Sequence, residues 1–211
     1  MQRKTMRGDG QGGAASPSGT LASRRGADAT TPPIVVMGVQ GSGKSTIGAL
    51  LADRLGVSFV DGDDLHPADN KTLMAAGAPL ADENRLPWLH AVGSVLAQGR
   101  QDGIVVACSA LKLAYRDLLR GHVPELVVVH PHGTMELVAA RISAREHEFM
   151  PPSLLASQYE SLQTLGDDER GLTVDISVPP RAMVDRVITY LSGSDSNPQR
   201  LATAADPGCV Q

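Results

Sequence analysis

The chain has 211 residues, of which 42% are hydrophobic and 20% charged, a composition typical of a folded globular protein. Its 19 basic and 23 acidic residues give a net charge of −4, and because the first 31 residues are net basic, the remainder is acidic. An acidic body argues against binding a nucleic-acid backbone, which requires a basic face. With two cysteines, no apolar run near the ~20 residues of a membrane span and no secretory signal, the sequence indicates a cytoplasmic protein with no nucleic-acid or membrane partner.

Both ends of the chain differ in composition from its middle. Residues 1–33 are rich in Gly, Pro, Ser and Ala, and residues 192–211 are similar. Such segments bury too little apolar surface to offset the entropy lost on ordering, so we expect two disordered tails. The folded unit is predicted to span residues 34–191.

Within this unit, short apolar runs alternate with segments of helical length. The apolar runs predict strands buried on both faces of a sheet, at 34–37, 57–60, 104–107, 126–129 and 172–176. The longer segments predict helices at 44–55, 84–100, 112–120, 134–144, 153–164 and 180–191. Strands that alternate with helices form parallel sheets covered by helices, so the predicted fold is a three-layer α/β/α sandwich around a five-stranded parallel sheet.

A glycine-rich loop follows the first predicted strand. Residues 38–46 read Gly-Val-Gln-Gly-Ser-Gly-Lys-Ser-Thr and satisfy the phosphate-loop pattern G-x-x-x-x-G-K-[ST]. In this pattern Lys44 reaches the β- and γ-phosphates and the Ser45 hydroxyl binds Mg²⁺, whereas a glycine-rich turn with an incidental lysine is the alternative. The strand before the loop and the amphipathic helix after it favour a nucleoside triphosphate site. Its predicted residues are Gly38, Gly41, Ser42, Gly43, Lys44, Ser45 and Thr46.

Two carboxylates follow the second predicted strand. Asp61 and Asp63 flank a glycine there, and ligands of parallel sheets bind at the carboxyl ends of strands. Phosphorylation of an alcohol needs a carboxylate that orients the hydroxyl and accepts its proton, together with a metal ion, so one aspartate is assigned to each task. The alternative is an acidic turn that caps a helix over 65–75. The small size of the unit and the absence of a guanine-reading Asn-Lys-x-Asp after a later strand favour a small kinase.

Two pairs of basic residues lie four positions apart. Lys112 and Arg116 follow the third predicted strand and could bind an anion such as a substrate carboxylate. Arg141 and Arg145 precede a proline-terminated segment that is a candidate lid over the phosphates. A solvated helix surface is the alternative interpretation for both pairs.

Taken together, these motifs resemble the small bacterial-type gluconokinases, relatives of shikimate and adenylate kinases. The matching blocks cover most of residues 34–190 and lie at 37–46, 61–67, 70, 74–80, 82–89, 108–120, 149–151, 154–158 and 168–170. The Asp-Gly-Asp-x-Leu-His-Pro and Cys-Ser-Ala-Leu-Lys blocks are much more specific to this family than the phosphate loop.

The resemblance implies ATP-dependent phosphorylation of D-gluconate at its 6-hydroxyl, with Mg²⁺. It implies that Asp63 is the hydroxyl partner and base candidate, that Asp61 lies nearer the metal, and that Arg141 and Arg145 are lid arginines. The gluconate pocket would be lined by His66, Arg85, Lys112 and Arg116. Members of the family are often dimers, although no apolar surface stripe argues for a homodimer here.

The chain also departs from the family pattern. Glu148 stands where the lid usually has histidine, Asn84 replaces an acidic residue, Ala81 replaces a threonine, and Gln163 replaces a glutamate. These changes bear on lid closure, turnover and substrate preference. A shikimate-kinase-like or other polyol or sugar-acid kinase, and a regulatory protein that binds ATP without transferring phosphate, therefore remain as alternatives.

Overall fold

Five parallel strands form the central sheet in the computed structural model, which describes residues 31–76, 78, 80–144 and 152–193. The strands are Ile34–Val36 (β1), Ser58–Asp61 (β2), Ile104–Ala107 (β3), Val127–His132 (β4) and Gly171–Asp175 (β5). They lie in the order β2-β3-β1-β4-β5, and each neighbouring pair is parallel. The predicted five-stranded parallel sheet is confirmed.

Within the described residues there are seven α-helices, six between successive strands and one after the last strand. They are Lys44–Leu55 (α1), Ala68–Ala75 (α2), Asp82–Gln98 (α3), Leu113–His122 (α4), Met135–Ser143 (α5), Pro152–Ser161 (α6) and Pro180–Leu191 (α7). The sequence placed α1 and α7 at these bounds, while α2 had appeared only in the alternative interpretation of the acidic turn. Helix α3 begins two residues earlier than predicted, where the Asn84 side chain accepts a hydrogen bond from the Ala81 N–H at 3.2 Å and closes the first turn.

The side chains of β1 alternate between two buried clusters. Ile34 and Val36 pack in one cluster with residues of α1 and α7, whereas Val35 packs in the other with residues of α3 and α4. A strand buried on both faces lies in the middle layer of a sandwich. The predicted three-layer arrangement is therefore confirmed.

The two edge strands contradict the prediction that every strand is buried on both faces. Residues of β2 are exposed or half-buried, and in β5 Thr173 and Asp175 are exposed. Each edge strand has one neighbouring strand, so one side and part of its faces remain open to solvent. A short apolar run does not by itself distinguish an edge strand from a central one.

The loop after β1 lies where the strand order of the sheet reverses, because β2 and β3 lie on one side of β1 and the later strands β4 and β5 on the other. Because β1 lies between β3 and β4, this loop emerges at the carboxyl edge where the two halves of the sheet diverge, which is where open α/β sheets bind ligands. Within the described residues, no helix is long and apolar enough to cross a membrane. The predicted tails lie almost entirely outside the described residues, and their disorder remains a prediction.

Candidate active site

The loop between β1 and α1 curls because its glycines adopt conformations that other residues rarely reach. The φ angles are 141° at Gly38, 79° at Gly41 and 94° at Gly43. At Gly41 a side chain would also collide with α5, because a Cβ atom there would lie 2.5 Å from Cγ1 of Ile142. The loop thus needs glycine both for its backbone path and for its packing.

The first residues of α1 face the end of β2. The Lys44 ammonium donates to the carbonyl oxygen of Val39 at 3.1 Å and so lies across the loop. The Ser45 hydroxyl donates to Asp61 Oδ2 at 2.7 Å, and Asp61 Oδ1 accepts from the N–H of Asp63 at 3.1 Å. Two oxygen donors of the kind preferred by hard divalent cations therefore meet at the mouth of the loop.

The end of β2 packs tightly against β3, and this contact sets the direction of the acidic turn that follows. A Cβ atom at Gly62 would lie 2.4 Å from the carbonyl oxygen of Ala107, so only glycine allows this approach. Asp63 follows in the turn and is exposed to the cleft that the loop borders. The alternative interpretation is confirmed in part, because the Asp61 side chain caps the short helical turn Gly62–Leu65, whereas the next helix begins only at Ala68. The catalytic roles of the two aspartates stay predictions.

His66 lies beside Asp63 and stacks on an indole ring. Its Nε2 atom is 4.0 Å from Asp63 Oδ1, and its ring lies 4.1 Å from that of Trp88 with an interplanar angle of 13°. Trp88 Nε1 donates to the Gly62 carbonyl oxygen at 2.7 Å and fixes the stack. Burial lowers the pKa of His66, partly opposed by the Asp63 carboxylate, which favours a neutral ring.

A cleft of about 500 Å³ joins these groups to the helices α2, α3, α4 and α6. The predicted site residues that line it are Gly41, Gly43, Lys44, Ser45, Thr46, Asp63, His66, Arg85 and Lys112. Gly38 and Ser42 belong to the loop, and Asp61 contacts Ser45, but these three do not line the cleft.

A cluster of charged and phenolic groups forms the far end of the cleft. Lys112 Nζ lies 2.7 and 2.9 Å from the two carboxylate oxygens of Asp82, to which the Tyr115 hydroxyl also donates. Arg85 donates to the Tyr115 oxygen at 3.3 Å. Hydrogen bonds from Lys112 and then Tyr115 lower the pKa of Asp82, and the bond with Asp82 raises the pKa of Lys112, so both groups are charged at neutral pH.

The prediction that Arg116 lines the cleft is wrong. Its side chain is fully buried and binds Glu169 through Nε and Nη2 at 2.6 and 2.7 Å. Lys112 precedes α4 in extended backbone, so the spacing of four residues does not place both cations on one helix face. Arg116 Nη1 instead donates to the carbonyl oxygens of Leu111 and Gln163, at 3.2 and 3.0 Å, and joins two loops.

The two predicted lid arginines differ in what the structure describes. Arg141 lies on α5, and its guanidinium donates to the carbonyl oxygen of Ile176 just beyond β5, so in this conformation it does not line the cleft. Arg145 and Glu148 lie outside the described residues.

Sequence reasoning overlooked Gln158, which belongs to a matching block but received no role. Its Oε1 accepts from the Gln40 N–H of the phosphate loop at 2.7 Å. A backbone N–H only donates, so this contact fixes the orientation of the amide and leaves its NH₂ group as a donor at the cleft wall. Asp82 and Tyr115 were overlooked as well. Asp82 lies about 30 positions before Lys112 and Tyr115, and no local pattern in the sequence indicates that the three side chains meet.

Comparison with known proteins places this architecture among small kinases. A family model described as shikimate kinase matches residues 40–173. The thermoresistant gluconokinase of Escherichia coli is 41% identical over 160 residues, which cover 74% of this chain and 91% of that protein. The gluconokinase of Gluconobacter oxydans is 40% identical over 164 residues, covering 77% of this chain and 92% of that protein.

A solved structure agrees with these sequence relatives. The crystal structure of a gluconokinase from Sinorhizobium meliloti is 42% identical and superposes with a TM-score of 0.73, covering 77% of this chain and 93% of that one. Because this similarity extends over nearly the whole of each relative at about 40% identity, the chain belongs to the gluconokinase family within the shikimate-kinase type of nucleotide-binding kinases.

Proposed function

We propose that this protein transfers the γ-phosphoryl group of ATP to the 6-hydroxyl of D-gluconate, giving ADP and 6-phospho-D-gluconate. The observation that carries the proposal is a single cleft with Lys44 and Ser45 at one end, Asp63 between, and Lys112 with Arg85 at the other. These are the groups needed to bind a triphosphate, to activate a reacting hydroxyl and to bind a substrate carboxylate. The relatives named gluconokinase supply the identity of the acid.

The phosphate loop would hold the triphosphate through its inward-curled backbone N–H groups and the N-terminus of α1. Lys44 stabilises negative charge on the transferred group, and Thr46 lines the same end of the cleft. The Ser45 hydroxyl and the Asp61 carboxylate have the donor chemistry that suits Mg²⁺ and would hold this ion at the mouth of the loop. When bound, this ion neutralises charge on the phosphate oxygens.

We assign the activation of the substrate hydroxyl to Asp63, which is exposed to the cleft. Its carboxylate accepts the hydroxyl proton as the oxygen bonds to the γ-phosphorus. The bond from that phosphorus to the β,γ-bridging oxygen breaks, and its electron pair remains on ADP. Asp63 then releases the proton to solvent, for which its exposed position is suited.

Lys112 and Arg85 would bind the carboxylate of the substrate. Both already contact the cluster around Asp82 and Tyr115, so the ammonium of Lys112 would be shared between Asp82 and the substrate. Charge-assisted hydrogen bonds of this kind are stronger than neutral ones and select for an acid over a neutral polyol.

The test measures ADP release by the full chain with Mg·ATP and, in turn, each member of a panel of sugar acids and polyols. We expect gluconate-dependent ADP release that Lys44→Ala abolishes. Arg181→Ala, which removes an exposed cation on α7, is the matched control and should retain normal turnover. If ADP release occurs only with another acid, that acid and not gluconate is the substrate. If the protein binds ATP but transfers phosphate to no acceptor, the regulatory alternative is favoured.

A further inference from the structure

Asn70 is a polar side chain on α2 that the proposed reaction leaves without a task. It is 3% exposed, and its Nδ2 atom donates to the carbonyl oxygen of Asn84 at 2.8 Å. The same nitrogen lies 3.3 Å from Nδ1 of His66. A carbonyl oxygen only accepts hydrogen bonds, so the amide must present its NH₂ group to both partners.

This orientation determines where His66 carries its proton. The NH₂ group of Asn70 has no lone pair to offer, so Nδ1 of His66 must accept, and a neutral ring then carries its hydrogen on Nε2. The opposite tautomer would require the amide oxygen of Asn70 to face the Asn84 carbonyl oxygen. Two buried acceptors in contact are unfavourable, so the Asn84 carbonyl selects one tautomer.

The selected tautomer points its N–H toward the acidic turn. Nε2 of His66 lies 4.0 Å from Asp63 Oδ1, which is too far for a hydrogen bond between them. A hydroxyl oxygen at about 2.8 Å from each atom fits this separation. Stacking on Trp88 and burial of the ring hold the imidazole plane in place.

We propose that Asn70 is a positioning residue that fixes His66 as the neutral Nε2–H tautomer, so that His66 donates to the reacting hydroxyl and Asp63 alone takes its proton. One lone pair of the hydroxyl oxygen accepts from His66, its hydrogen points to Asp63, and the second lone pair faces phosphorus. The assignment of the hydroxyl rests on the proposed function, whereas the tautomer rests on the hydrogen bonds alone. Burial of the ring, which lowers the pKa of His66, supports a neutral imidazole.

The direct test is the ¹⁵N NMR spectrum of the histidine side chains in the full-length protein at pH 7.5. The chain has six histidines, and His66→Gln identifies the signals of His66 by their loss. We expect a protonated Nε2 and an unprotonated Nδ1 in the wild type. Asn70→Asp, similar in size but able only to accept, should move the proton to Nδ1. Thr72→Ala, on the same helix, removes an exposed hydroxyl that donates to the Ala68 carbonyl oxygen and is the control that should leave the signals unchanged.

Kinetics provide a second readout that a merely structural role would not produce. His66→Gln keeps an N–H donor near the position of Nε2 and should retain more activity than His66→Asn, whose amide mimics Nδ1. Asn70→Asp should lower kcat by about tenfold or more with little change in KM for ATP. A wild-type His66 protonated at Nδ1, or an unchanged tautomer in Asn70→Asp, overturns the proposal. The expected tautomer in a protein that fails to phosphorylate gluconate would support the assignment of Asn70 and refute the proposed function instead.

Discussion

Lowering the pH from 8 to 5 is expected to destabilise this protein through one buried imidazole. His130 lies in β4, is 1% exposed, and its Nδ1 atom has no hydrogen-bond partner among the described residues. Burial lowers the pKa of His130 to about 3, with further lowering from the nearby charges of His132 and Arg116. The fold therefore holds this ring neutral while the unfolded chain can protonate it.

The sign and size follow from proton linkage. Because the pKa of His130 is lower in the folded state than the ordinary 6.5, the stability is complete above pH 6.5 and is lost as the pH falls from there toward 3. A difference of one bound proton changes the free energy of unfolding by about 1.4 kcal/mol per pH unit. Because the unfolded imidazole is half protonated at its ordinary pKa, His130 should cost about 2 kcal/mol over the whole interval from pH 8 to pH 5.

Urea unfolding of the wild type and of His130→Leu at half-unit pH steps measures this cost. The remaining charged groups are common to both proteins, so the difference between the two curves reports His130 together with its contact with His132. Glu169 does not interfere above pH 5: burial raises its pKa, but hydrogen bonds from Arg116 and Arg120 outweigh this and lower it to about 2. We expect the wild type to lose about 2 kcal/mol more than the variant, and parallel curves would refute the assignment of a buried neutral His130.

Three further changes probe the site and its support. Asp63→Asn should lower kcat by about 100-fold or more while KM for ATP stays within about twofold; a retained kcat in steady-state assays would exclude Asp63 as the base. Gln158→Glu keeps an acceptor for the Gln40 N–H but adds a charge beside the phosphate loop, so KM for ATP should rise about tenfold with an unchanged thermal midpoint. Glu169→Gln leaves a buried Arg116 without its carboxylate and should reduce the free energy of unfolding by about 3–5 kcal/mol in urea, and a loss under about 1 kcal/mol would contradict that.

Local patterns in the sequence were sufficient to predict the parallel sheet, the phosphate loop and the position of the two aspartates at the end of a strand. Each depends on neighbouring residues: the apolar run before Gly38, the glycines that curl the loop, and the acidic turn at the end of β2. A parallel sheet then brings these strand ends to one edge whatever the connecting helices contain. The proximity of Ser45 to Asp61 follows from that rule, and the two side chains are hydrogen-bonded in the structure.

Contacts between distant segments could not be predicted from such patterns. Gln158 binds the phosphate loop across 118 positions, and Arg116 binds Glu169 across 53. A spacing of four residues marks a shared helix face only where both residues are helical, and Lys112 lies before the first turn of α4. The sequence therefore identified the cations of this segment but assigned one of them to the wrong environment.

Two of the residues that depart from the family pattern, Asn84 and Gln163, support the site without adding charge to it. The Asn84 side chain caps α3 by accepting from the Ala81 N–H, while the main-chain carbonyl oxygen of Asn84 accepts from Asn70. Gln163 accepts from the Leu113 N–H at the start of α4 and does not line the cleft. Since a neutral side-chain amide caps α3 and another accepts from the Leu113 N–H, the acidic residues usual in the family are not needed for these two contacts. In the proposed reaction, selection of an acidic substrate would then depend on the ion pair of Lys112 with Asp82 and on Arg85, and a change of charge there is expected to alter specificity directly.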